Sequence, residues 1–276
     1  MLNLTKKLLI DSMLNARALR FVELAEYLHR NNWIHFQLQG GGWTEELEGE
    51  EKVFGIIIRT LLCNDSESKQ FYYDVGNYSG VKSRYNSGDD IVPWLDLKLA
   101  RRKMGSGKGS HRDGRHKQWT AQGIKEYLDL TRDGQQEYFS SLQGYNELFN
   151  GIHSLYSCGP LTAFDVAKSM YESGVFAYFP DRFYLTGSGE VKGLKTLFPN
   201  ANSDEELVRM GDVLTSAILQ RTGILEEIVH YGVEDLLCIY QKKGNYLEFL
   251  DGNEFNVYFA EDLLGENCVR ERGIGC

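Results

Sequence analysis

A tight turn between two apolar-periodic segments constrains the fold of this chain more than any other feature. Apolar side chains recur at helical spacing from Leu148 to Leu155 before the turn, and again from Phe164 to Tyr171 after it. The turn itself contains a glycine, which allows a sharp bend, and then a proline, which is tolerated at the first position of a helix. The sequence therefore predicts two helices joined by a hairpin turn at residues 157–160.

Most of the remaining chain also favours helices. Residues 2–36 carry apolar side chains near the 3.6 period, and residues 51–66 are apolar nearly all round, which is typical of a buried helix or, alternatively, of a buried strand. Ser203 with Glu206 forms a capping box at the start of another helix. We expect a mostly all-α fold over residues 1–276, a single unit of two helical lobes in which the N-terminal and C-terminal segments share one lobe.

Residues 70–118 are the exception. Tyrosines among Gly, Ser, Asn and Asp predict an irregular insertion with at most a short β-hairpin. Residues 98–117 hold eight Lys or Arg against the single acid Asp113, a net charge of +7 in a chain whose total is −9. Such a strip can neutralise DNA phosphates even on an acidic body, because salt screens charges beyond about 10 Å; the alternative is a solvated loop. The candidate DNA contacts are Arg101, Arg102, Lys103, Lys108, Arg112, Arg115 and Lys117.

Composition excludes several classes of protein. The five cysteines are odd in number and have no CxxC spacing, so we expect free thiols in a reducing cytoplasm and no metal or cofactor. No apolar run of about 18 residues is present, so we expect no membrane span. A monomer in the cytoplasm is the simplest expectation.

The hairpin turn has the chemistry of a phosphate-binding site. A phosphate needs several converging N–H donors, and a turn at a helix N-terminus supplies them together with a favourable dipole. An ordinary helical hairpin without a ligand is the alternative. The candidate phosphate-binding residues are Ser157, Cys158, Gly159, Leu161 and Thr162.

This turn resembles the helix-hairpin-helix motif of the DNA glycosylases, such as endonuclease III, whose pattern is roughly Leu-Pro-Gly-Val-Gly-x-x-Thr-Ala. Leu155, Gly159 and the pair Thr162-Ala163 match that pattern, whereas Tyr156 and Ser157 replace the proline and the first glycine. The resemblance implies a helix-hairpin-helix glycosylase-like fold, a double-stranded DNA partner and chemistry on a base flipped out of the duplex.

Asp181 follows Gly159 by 22 residues, at the place where the family has an aspartate. The resemblance implies that this carboxylate stabilises the positive charge left on the sugar as the base departs, and orients the attacking water. A surface turn after Pro180 is the alternative. Glycosylases that also cut the strand have a lysine where this chain has Leu161, so the resemblance implies a monofunctional enzyme.

A glycine-rich segment follows the aspartate. Gly187, Gly189, Lys192 and the pair Gly193-Leu194 resemble a turn in the alpha-glutamyl/putrescinyl thymine pyrophosphorylases, glycosylase-fold phage proteins of thymine hypermodification. The resemblance covers roughly residues 50–65 and 145–220, and it makes the latter range the hairpin and catalytic core. A dinucleotide site is excluded, because no strand-terminal acid or βαβ repeat accompanies the glycines.

The same resemblance implies a pocket for the flipped base or its substituent. Gly187, Gly189 and Lys192 offer close backbone donors and a cation, unless the glycines only make a bend. Asn64 and Asp65 correspond to polar residues that enter the gap left by the base, unless they simply end the preceding helix.

These observations favour a DNA glycosylase that flips a modified pyrimidine and hydrolyses its N-glycosidic bond, with a possible antiviral role against phages that carry hypermodified bases. One alternative is a pyrophosphorylase-type transferase that places an amino acid or amine on phage thymine. A non-catalytic DNA-binding module is the other.

Overall fold

The computed structural model describes residues 13–30, 42–62, 64–102, 117–156 and 158–243. The chain divides into two compact units. The first unit contains the described residues before position 39 and those from Pro180 onward, and the second contains the described residues from Gly42 to Phe179. The predicted core range 145–220 is therefore shared between the two units.

The described residues form twelve α-helices, one short 3₁₀ helix (Gly42–Glu46) and no strand, so the fold is all-α over these ranges. In chain order the helices are α1 (Ala16–Arg30), α2 (Gly49–Leu62), α3 (Asp65–Asp74), α4 (Asn77–Asn86), α5 (Ile91–Leu99), α6 (Lys117–Leu130), α7 (Gln135–Ser141), α8 (Tyr145–His153), α9 (Pro160–Glu172), α10 (Ser188–Leu197), α11 (Asp204–Thr222) and α12 (Glu226–Lys243). None of these helices combines the length and apolar character that crossing a bilayer requires.

The predicted irregular or β insertion at 70–118 is wrong where the structure describes it. Helices α3, α4 and α5 cover most of residues 70–99, and they are separated by turns with positive φ at Gly76, Asn77 and Gly88. Two of the tyrosines that suggested irregular structure, Tyr72 and Tyr78, are buried core residues of these helices, whereas Tyr73 is exposed. Residues 103–116 lie outside the described residues.

Helix α2 is the centre of the second unit. Residues 53–58 are all buried, so the buried-helix alternative is correct. Its first turn also stabilises other helices, because the Glu51 carboxylate accepts hydrogen bonds from the backbone N–H groups of Tyr78 (2.8 Å) and Ser79 (3.2 Å) at the start of α4. The Glu50 carboxylate does the same for Gln135 at the start of α7 (2.9 Å).

Helices α1, α10, α11 and α12 pack around the core of the first unit. The ring of Phe21 in α1 makes an edge-to-face contact with Tyr240 in α12, with ring centroids 5.4 Å apart. The N-terminal helix and the C-terminal helices therefore share one core. Aromatic pairs of this kind add about 1 kcal/mol beyond the area they bury.

Candidate functional site

The predicted helical hairpin is confirmed between α8 and α9. The backbone N–H of Cys158 donates to the carbonyl of Leu155 (3.0 Å), which closes the turn, and α9 begins at Pro160. Leu155 and Cys158 are buried, whereas Gly159 is exposed. The turn is thus anchored in the core on one side and presents Gly159 on the other. Ser157 lies outside the described residues.

Gly159 is not required by the fold. Its backbone angles (φ −70°, ψ 173°) suit any residue, and a Cβ at this position would meet no atom of the described residues within 4 Å. As the N-cap of α9, it has no side chain that could accept a hydrogen bond from the N–H groups of the first turn, which contains Leu161 and Thr162. An open helix start with a bare N-cap suits an anion, because the N–H groups and the helix dipole both favour negative charge.

Asp181 belongs to the other compact unit, so the hairpin and the candidate catalytic carboxylate lie in different units of the chain. Asp181 is exposed in a bend that follows the buried Pro180. The next residues are held in place: the Asp212 carboxylate accepts a hydrogen bond from the N–H of Phe183 (2.6 Å), and the Arg182 guanidinium lies over the ring of Tyr184, 5.2 Å from its centroid.

The Asp181 carboxylate affects the pKa of three ionisable groups of the same unit. Burial raises the pKa of Tyr184, and the charge of Asp181 raises it further, while Arg182 opposes the increase. Burial raises the pKa of Asp212, and the charge of Asp181 adds to that increase, while the Phe183 N–H and the Arg182 guanidinium oppose it. Burial lowers the pKa of His230 to about 4, although the Asp181 carboxylate acts in the opposite direction.

His230 is 8% exposed, and its Nδ1 has no hydrogen-bond partner among the described residues. Its imidazole is neutral at pH 7, because that pH lies far above its lowered pKa. A neutral imidazole can accept a proton, whereas a carboxylate can stabilise a developing cation. Sequence reasoning missed His230; the available signal was a single ionisable residue within the apolar run 228–233.

The glycine-rich segment forms the start of α10 rather than an open loop. Gly187 is the N-cap, and the Glu190 carboxylate accepts hydrogen bonds from the backbone N–H groups of Thr186 (2.5 Å) and Gly187. These two donors are therefore occupied within the protein. A Cβ at Gly189 would come within 2.6 Å of Cys238 Sγ, so this glycine allows α10 to pack closely on α12. Lys192 is exposed.

Behind this helix start lies a buried group of two carboxylates and a thiol. Glu190 is 1% and Glu234 3% exposed, and the Thr186 hydroxyl lies 3.2 and 3.1 Å from one oxygen of each. Cys238 Sγ is 3.3 Å from Glu234 Oε1 and 3.7 Å from Glu190 Oε2. Burial raises the pKa of Glu190, and the charge of Glu234 raises it further.

Chemically, this group can share a proton or hold a divalent metal ion, because one ligand atom from each of Glu190, Glu234 and Cys238 lies within 4.8 Å of the others. Sequence reasoning missed it, since the two carboxylates are far apart in the chain. Only the spacing of Glu234 and Cys238, which places them on one helix face, was visible.

Asn64 and Asp65 both make contacts within the protein. The Asn64 side chain caps α3 by accepting a hydrogen bond from the N–H of Glu67 (3.0 Å). Asp65 forms an ion pair with Arg59, with Nε and Oδ1 2.7 Å apart. The structure thus assigns them a structural role at the junction of α2 and α3, close to the alternative that they end a helix.

The structure describes only the two ends of the basic strip, residues 98–102 and residue 117. Arg101 is exposed, but Arg102 is largely buried and pairs with Asp74 and Glu67, while donating to the Gln70 amide oxygen (2.7 Å). Two carboxylates already compensate the charge of Arg102, so the expectation that it contacts DNA is not supported. The side chains of the other candidates lie outside the described residues: Lys103, Lys108, Arg112, Arg115 and Lys117.

No protein-family model, curated protein or solved structure matches this chain.

Proposed function

We propose that this protein is a DNA-base-processing enzyme of the helix-hairpin-helix glycosylase type, which flips a modified pyrimidine out of double-stranded DNA and hydrolyses its N-glycosidic bond. The proposal includes a monomeric enzyme that acts in the cytoplasm, with excision of phage-type hypermodified bases as its biological role. Flipping costs a few kcal/mol of stacking and pairing, which contacts to the extruded base must offset.

The observation that carries the proposal is the bare, exposed glycine at the start of α9. Neither packing nor backbone strain requires glycine at Gly159, and its missing side chain leaves the first turn of a 13-residue helix open to an anion. A DNA phosphate is the anion that the hairpin suits, because a phosphate held by N–H groups fixes the register of a duplex without reading its sequence.

Asp181 is the proposed catalytic carboxylate. It is exposed, and its negative charge acts to raise the pKa of the neutral, buried His230 imidazole. As the base departs, the sugar gains oxocarbenium character, and a carboxylate beside it lowers the barrier. Since Leu161 occupies the position of the family's lysine, the proposed enzyme forms no Schiff base and leaves an intact abasic site.

The test is incubation with genomic DNAs from phages that carry different pyrimidine modifications, followed by nucleoside mass spectrometry and an abasic-site assay. We expect free modified base and alkali-labile sites with the wild type. Asp181→Asn should reduce base release about a thousandfold while DNA affinity stays near wild type. Asp204→Asn, at the exposed start of α11, is the matched control and should leave activity unchanged.

Each alternative function has its own outcome in this assay. A transferase changes nucleoside mass only when an amine is added and makes no labile sites, whereas a binding module retains DNA without altering it. Either result would refute the proposed function, whereas equal activity in Asp181→Asn would refute the catalytic role of Asp181. A covalent adduct trapped by borohydride would refute its monofunctional chemistry.

A further inference from the structure

The hairpin turn exposes an aromatic ring. Large apolar side chains are exposed at few positions of the described residues, and Tyr156 is one of them, with 47% of its surface accessible. It lies three residues before Gly159. Its two neighbours in the turn, Leu155 and Cys158, point into the core instead.

Helix α6 contacts both the backbone N–H and the carbonyl oxygen of Tyr156. Its N–H donates to the Glu126 carboxylate (2.5 Å), and that carboxylate also accepts a hydrogen bond from the Gln122 amide (2.9 Å). Its carbonyl oxygen lies so close to Gly123 that a Cβ there would be 3.0 Å away. Gly123 and Glu126 are three residues apart and share one face of α6, so together they clamp a single peptide segment.

We propose that Tyr156 is a nucleic-acid-contacting residue of the hairpin, and that Gly123 and Glu126 are the positioning residues that hold it. The inference rests on the proposed function, because it takes DNA as the hairpin's partner. An aromatic face can stack on a base that has left the duplex stack, as base flipping requires, and a clamped backbone reduces the entropy lost when the ring is ordered on binding. Tyr156 thus supplies an apolar contact beside the phosphate contact of Gly159.

The stacking role is tested by DNA affinity, measured by fluorescence anisotropy with a labelled duplex at several salt concentrations. Tyr156→Ala should weaken binding about tenfold, and Tyr156→Phe should bind nearly as the wild type. The salt slope should be the same in all three proteins, because a ring releases no counterions. Tyr178→Ala is the matched control, since Tyr178 is 43% exposed in the same unit and should not affect binding.

The positioning role of Glu126 is tested by hydrogen exchange of the free protein and by DNA affinity. Glu126→Ala should speed hydrogen exchange at the Tyr156 amide and weaken DNA binding, while Glu126→Gln, whose amide oxygen can still accept the hydrogen bond, should restore both. Unchanged exchange in Glu126→Ala would overturn the positioning role.

The results separate this inference from the function on which it rests. If the wild type binds DNA and Tyr156→Ala binds equally well, the stacking role is refuted alone. If the wild type binds no DNA at any salt concentration, the proposed function fails as well.

Discussion

Two helices of this protein begin in the same way and differ in what lies at their N-cap. Both α9 and α10 start after an extended glycine, Gly159 and Gly187. At α10 the chain supplies its own anion, since Glu190 accepts the N–H groups of Thr186 and Gly187. At α9 the N-cap offers no side chain and faces open space. A glycine before a helix is therefore a candidate anion site only where the fold leaves it uncovered.

The largest expected difference in stability is between substitutions at two glycines, one packed inside α10 and one at the start of α9. Gly193→Ala should destabilise the protein by about 3 kcal/mol. The new Cβ in α10 would lie 2.5 Å from the backbone oxygen of Leu237 in α12, so α10 and α12 would have to separate. Gly159→Ala should cost about 1 kcal/mol or less, which is the loss expected at an N-cap. Urea unfolding measures both, and equal losses would contradict the distinction between a glycine packed between helices and one at an open helix start.

A second, smaller effect concerns the carboxylate that closes the start of α10. Glu190→Ala should destabilise the protein by about 2 kcal/mol, because two N–H groups lose their acceptor. Glu206→Ala provides the comparison at the exposed start of α11, where Glu206 accepts the N–H of Asn202 (2.7 Å), and should cost about 0.5 kcal/mol. Thermal unfolding of the two variants side by side checks the order; a milder loss in Glu190→Ala would refute it.

The smallest effect is the pH dependence that Glu190, at the start of α10, gives to the free energy of unfolding. Since the pKa of Glu190 is raised in the folded state, the folded protein binds this proton more tightly than the unfolded chain does. The stabilisation is full below the ordinary value of 4.5 and is lost as pH rises through the raised pKa. His230 acts in the opposite direction, because its lowered pKa costs stability as pH falls below 6.5 towards about 4.

Glu190→Gln cannot titrate at that position, so comparing it with the wild type isolates the contribution of Glu190 to the pH dependence of stability. The free energy of unfolding, measured from pH 4 to pH 8, should fall more steeply with rising pH in the wild type than in the variant. Parallel curves would show that Glu190 does not titrate in this range. Gly159→Ala should leave the pH profile unchanged, because the substitution adds and removes no ionisable group.

Much of the helical framework could be predicted from short stretches of sequence. The capping box at Ser203 is present, with its hydroxyl accepting the N–H of Glu206 (3.2 Å), and the apolar run at 51–66 contains the buried helix α2. The helices within 70–99 could not be predicted in this way. Helix α4 has no side-chain cap of its own, and its first N–H groups are satisfied by Glu51 from α2.

The candidate site was predictable only in part, and for the same reason. The hairpin and the exposure of Asp181 follow from local pattern. His230 was missed because its neutral state depends on burial by the fold, and the clamp on Tyr156 was missed because Glu126 lies 30 residues away in the chain.

The sequence alone determined most of the helices outside residues 70–99 and where the hairpin bends, because apolar periodicity, proline and glycine act within a turn or two of the chain. The tertiary structure decided the starts of α4 and α7, which are closed by carboxylates of α2, as Glu50 reaches Gln135 across 85 residues. The start of α10 is closed locally instead, by Glu190 of its own first turn. Burial then sets the charge of groups such as Glu190 and His230, since removing water penalises the ionised form wherever no partner compensates it.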